Sequence, residues 1–143
     1  MVDDLMQRAH IDITYDLDDE TVVHALFDLR DDELAATRHA ISIIIAERYR
    51  TTDLSADEVL ELRELTAMAD ELAQLPGTVV VQPARLTLLC RTIASFVESR
   101  DRAEWIRDED RQALEPLREM LPQLEQLCEE AVRAALAPDS QVR

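Results

Sequence analysis

The run Ile11-Asp12-Ile13-Thr14-Tyr15-Asp16-Leu17, followed by Asp18-Asp19-Glu20-Thr21-Val22-Val23-His24-Ala25-Leu26-Phe27-Asp28-Leu29, decides between an all-helical chain and one with a sheet. In the first seven residues apolar and polar side chains alternate, the period-two signature of a half-covered strand. The second part reads as a helix over 18–29. Carboxylates stand at its start, where the positive end of the helix dipole favours them, and Val22, Val23, Leu26, Phe27 and Leu29 supply an apolar set. The only other β-like run is Thr78-Val79-Val80-Val81-Gln82. Paired with 11–17 it would make a two-stranded patch, marginal without helices beneath it.

Working outward, the rest of the chain has helical pitch. Asp31-Asp32-Glu33 is a second acidic start, for a helix reaching about Tyr49. Its centre, Ala40 to Ala46, is apolar on nearly every side, which belongs in the middle of a bundle. Ser55-Ala56-Asp57-Glu58 has the form of a capping box. The stripe Leu62, Leu65, Ala69, Leu72 follows, and Pro76-Gly77 ends that helix. Pro83 suits a first helical turn, with Leu86, Leu89, Ile93 and Phe96 as the seam and Leu88 and Val97 widening it. Leu114, Leu117, Leu121, Leu124, Cys128, Ala131 and Ala135 alternate by three and four, as in antiparallel bundles. Interior proline removes a hydrogen bond and clashes with the preceding turn, so Pro116 and Pro122 predict a kink or break, with a new helix starting at Pro122.

The expected fold is therefore an all-α bundle of five or six helices in a single domain, 1–143, with ends 1–9 and 138–143 frayed. The alternative is α+β, with the small patch from 11–17 and 78–82.

Composition narrows the function. There is one glycine in 143 residues, which leaves no material for a phosphate-cradling loop. No Gly-x-Ser-x-Gly nucleophile motif occurs. Thirty-one acidic residues face fifteen basic ones, all arginine, for a formal charge of −16. Such a field repels nucleic acid and anionic membranes and favours basic partners or simply high solubility, and the plain reading of the acidity is a compositional bias of the proteome. The apolar run 40–46 is far too short to span a bilayer. The acidic Met1-Val2-Asp3-Asp4 lacks the basic start of a signal peptide. Cys90 and Cys128 have no metal-type spacing and read as small core residues of a reduced, cytoplasmic protein.

Three candidate constellations stand out. Glu20, His24 and Asp28 fall at four-residue steps, which on a helix stacks a metal-type set on one face; a second helix with matching ligands is missing, so the plain reading is a solvated face. His39 reads as a boundary histidine and His10 has no visible partner. Trp105, flanked by Arg102 and Arg107, is either a partner-binding anchor or a plug for the bundle end.

The functional expectation is a non-catalytic interaction or adaptor protein with no cofactor and no catalytic residues. A protein partner, possibly a basic one, would bind at Trp105, Leu114, Leu117, Leu121 and Leu124, and a homodimer would pair the C-terminal heptads across a two-fold. Direct nucleic-acid and membrane contacts are not expected. Two rival functions remain: an acidic nucleic-acid mimic that sequesters a DNA- or RNA-binding protein, and a metal-binding helical protein.

Overall fold

A computed structural model describes residues 5–15, 21–74 and 77–136. The chain is α+β. After a 3-10 turn at Leu5–Arg8 come strands β1 (Ala9–Tyr15) and β2 (Thr21–Asp28) and helices α1 (Asp31–Tyr49) and α2 (Ala56–Gln74). Strand β3 (Thr78–Val81) and helices α3 (Pro83–Arg102) and α4 (Asp108–Leu136) complete it. The three strands form one antiparallel sheet in the order β1-β2-β3.

This corrects the all-α expectation. The segment predicted as a helix over 18–29 is the central strand over its described part. Its apolar residues fit both periods, and what decides is a partner on each side. Ile11 pairs with Ala25 and Ile13 with Val23 on one edge, while Val81 pairs with Ala25 and Val79 with Phe27 on the other. The two segments expected to pair with each other are separated by β2. Sizes match across the inward rows: Phe27 lies between Ala9 and Val79, and Ala25 between Ile11 and Val81.

The four helices cover that inward face. Val23, Ala25, Phe27, Val79 and Val81 are buried in the same core as Ile41, Ile44, Leu65, Leu89, Phe96 and Leu117. Helices α1 and α3 each pack on the other three, the central position expected for the isoleucine-rich segment. The capping box forms as read: Glu58 N–H donates to Ser55 Oγ at 3.2 Å and Ser55 N–H to Glu58 Oε1 at 3.1 Å. Pro83 occupies the first turn of α3.

Helix α4 runs unbroken through Pro116 and Pro122, against the expected break. Each proline costs about 3 kcal/mol, but each fully buried leucine or methionine returns about 1.5–3 kcal/mol. The buried stripe is Ala113, Leu117, Met120, Leu124, Leu127, Ala131 and Ala134, with Leu114 beside it. It shares the three-four spacing read from the sequence but is rotated, so Met120 and Leu127 face the core while Leu121 and Cys128 sit at its margin.

Residues 5–9 of the end expected to fray make specific contacts with the rest of the chain. Leu5 is fully buried, and Met6 N–H donates to Gln123 Oε1 at 3.2 Å. Arg8 bonds both carboxylate oxygens of Glu33, at 2.8 and 3.2 Å, and the Asp28 carbonyl at 2.6 Å. Glu33 also accepts from Arg30 N–H at 2.8 Å, so one buried carboxylate joins the 3-10 turn, the end of β2 and the start of α1. Residues 138–143 lie outside the described residues.

Candidate functional site

One end of the helical layer gathers the C-termini of α1 and α3 and the N-terminus of α4, and a polar triad centred on the buried Asp110 lies there. His39, on α1, donates from Nε2 to Asp110 Oδ1 at 2.7 Å. Arg100, at the end of α3, donates from Nε to Asp110 Oδ2 at 2.9 Å and reaches Glu47 at 3.4 Å. Phe96 lies beneath both side chains: the Arg100 guanidinium is 4.9 Å from its ring centre, and the His39 ring meets it edge-on at 5.8 Å. The Arg100 contact is the favourable placement of a cation over an aromatic face.

Asp110 is 6% exposed. Burial pushes its carboxyl pKa up, but the His39 hydrogen bond and the Arg100 charge outweigh that and hold it below the usual aspartate value. An imidazole held by a carboxylate is the arrangement that orients a general base. Here the second oxygen is taken by Arg100, so the same carboxylate also ties three helices together.

His39 stands between two cavities. The larger, of about 560 Å³, runs between α1 and α4 past Asp32, Gln112, Glu115 and Glu119. The other, of about 340 Å³, has Ile43, Glu47, Arg50 and Arg107 on its walls. Neither Arg50 nor Arg107 forms an ion pair among the described residues, whereas Arg100 forms two. Within two residues of these arginines in sequence lie the two most exposed aromatic side chains, Tyr49 at 68% and Trp105 at 76%. Ile106, partly buried against the core, anchors the loop that carries Trp105.

The structure separates the other residues singled out from sequence. Leu114, Leu117 and Leu124 are buried within the chain and Leu121 packs at the edge of the core, so Trp105 alone of the expected partner face is fully open to solvent. Glu20 lies outside the described residues. His24 and Asp28 sit on β2 rather than on a helix, four residues apart, and a strand rise of about 3.3 Å places them roughly 13 Å from each other. That exceeds one metal coordination sphere, and among the described residues no three His, Cys, Asp or Glu groups come together. His10 and His24 lie on the outer face of the sheet, His24 opposite Asp12 and His10 opposite Leu26.

The cysteines meet across the α3–α4 contact. Thr87 Oγ1 lies 3.1 Å from Cys128 Sγ. Burial, with Cys128 as neighbour and hydrogen-bond partner, pushes the Cys90 thiol up to about 12 from an ordinary 9.0. At a given pH that lowers the reactive thiolate roughly a thousandfold. In a native labelling time course Cys90 should therefore stay unmodified while Cys128 reacts slowly, and denaturant should release both. Fast native labelling of Cys90 would contradict the packing.

Sequence reasoning passed over Asp110 and Arg100. They stand far from His39 along the chain, and no local spacing links them. No family model matches this chain, and comparison with curated proteins and with solved structures finds no significant similarity. Fold and site define an α+β protein with a sheet covered on one face and a braced, aromatic-tipped helical end. Among the described residues no helix is long and apolar enough to cross a membrane.

Proposed function

We propose that the protein is a non-catalytic interaction module that binds a protein partner at the helical end carrying Trp105. The observation behind this reading is the exposure of Trp105, 76%, on the loop between two long helices that are locked together directly beneath it. An indole in solvent costs hydrophobic free energy in the isolated chain and returns it when a partner covers it, and Trp and Arg dominate interface hot spots. The rigid His39–Asp110–Arg100 tie reduces the ordering cost of such an encounter. Arg50 and Arg107, on the wall of the smaller cavity, add donors at the same helical end. The charge of −16 draws a partner with a net positive charge, with an association rate that falls as salt rises.

The test compares in-cell cross-linking of the wild-type chain and Trp105→Ala. The expected result is a defined partner whose yield falls at least about tenfold in the variant, a typical hot-spot loss, while thermal stability stays within about 0.5 kcal/mol. A cross-linked set identical for both chains would reject Trp105 as the contact.

A further inference from the structure

The sheet has two edges of different character. Strand β3 is four residues long and closed by Gly77 and Pro83. Strand β1 is seven residues long and, among the described residues, hydrogen-bonded to β2 alone. Natural proteins blunt such edges with proline, lysine, bulges or inward-pointing charges, and Ala9–Tyr15 contains no proline, lysine or inward charge. Its inward residues Ala9, Ile11 and Ile13 are only partly covered, while those on the same face of β2 and β3 are buried. The helical layer stops short of this edge.

The side chains of β1 specify what could complete it. In antiparallel self-pairing, opposite residues must share a face, so the two-fold axis passes through a residue. An axis through Asp12 sets two carboxylates against each other, which is destabilising. One through Ile13 leaves His10 beyond the pairing. One through His10 spans only Ala9–Ile11 before Arg8, which is committed to Glu33 and the Asp28 carbonyl. An axis through Ile11 sets His10 against the partner's Asp12 twice over, Ile11 against itself and Ala9 against Ile13. The exposed row then reads His24, Asp12, the partner's His10, with a hydrogen-bond donor next to each carboxylate.

We propose that a second copy of this chain adds its β1 antiparallel along this edge, with the two-fold at Ile11, to form a continuous six-stranded sheet. The contact is independent of the Trp105 surface. Two chains of −16 repel each other, so salt strengthens the pairing by screening, the opposite of its effect on a basic partner.

Sedimentation equilibrium of the full chain over a concentration series, at low salt and at about 0.5 M salt, where the Debye length shrinks to a few ångströms, tests the proposal. The expected result is a reversible dimer favoured by salt. His10→Glu should weaken it about tenfold, since two attractive pairs become repulsive. Adding Asp12→Lys to that variant should restore it to within about threefold, because the swapped charges again oppose. Trp105→Ala should leave it unchanged. Both β1 side chains are exposed, so circular dichroism should show the variants folded. Should His10→Glu disturb β1 itself, hydrogen exchange of the wild type still decides: amides of residues 9–13 should gain protection with concentration. A monomer throughout, a dimer indifferent to His10→Glu, a swap that fails to restore it in folded protein, or protection at 9–13 independent of concentration would each overturn the proposal.

Discussion

Asp110→Ala is expected to destabilise the protein by about 3–5 kcal/mol, the range for removing one member of a buried ion pair. The loss is large because the variant keeps the cost without the compensation. Arg100 and His39 would remain half-buried against Phe96 with no carboxylate between them. Chemical denaturation of wild type and variant measures it. A change below about 1 kcal/mol, the worth of an exposed pair, would show that the triad is solvated rather than structural.

Two buried carboxylates, Asp110 and Glu33, set a pH dependence. Asp110 and Glu33 both have folded-state carboxyls held below their ordinary values of 3.8 and 4.5; in each, burial pushes upward but hydrogen bonds and cations outweigh it. A depressed folded value means that the unfolded chain takes up the proton first. The stabilisation is therefore complete above the ordinary values and is lost as pH falls below them through the depressed ones. Acid also relieves the self-repulsion of a −16 chain, which acts in the opposite direction. The difference in melting temperature between wild type and Asp110→Asn cancels that common part. It should shrink as pH falls below about 4, where Asp110 takes up its proton in the folded chain.

Gly77→Val should rank with it, at about 3–5 kcal/mol, for a different reason. Gly77 has φ of +90°, a conformation that costs an L-residue about 1–2 kcal/mol. A Cβ there would lie 2.7 Å from the Leu29 carbonyl oxygen, a backbone atom that cannot rotate away. Relieving the contact would shift the hydrogen bond from Leu29 N–H to the Gly77 carbonyl, also 2.7 Å, which extends the β2–β3 pairing. An unsatisfied buried donor costs a further 1–3 kcal/mol or so. The melting temperature should fall, with loss of protection in β3 first. A variant as stable as the wild type would mean that the β2–β3 junction can relax without cost.

Legibility differed between elements for identifiable reasons. Helices α1, α2 and α3 were readable because caps, acidic first turns and three-four spacing are local and mutually consistent, as at Ser55 and Pro83. Strand β2 was not. Val22 to Leu29 satisfies both periods, and the choice rests on partners at positions 9–15 and 78–81. The α4 seam had the right spacing and the wrong rotation, because Leu121 and Leu127 look alike in sequence and the surrounding helices select between them. Proline was read as a break where burial along the whole helix outweighs it. Of the site, Trp105 was visible as an isolated aromatic, but its solvent exposure was not. His39 was visible without Asp110 and Arg100.

Sequence alone determined the charge, the absence of a glycine-rich loop and most helix boundaries, since these depend on composition or on interactions within a turn or two. Tertiary structure decided the sheet, the buried side of α4 and the union of His39 with Asp110 and Arg100. Each of those requires residues distant along the chain to meet, and the free energy of such meetings is shared between segments rather than encoded in any one of them.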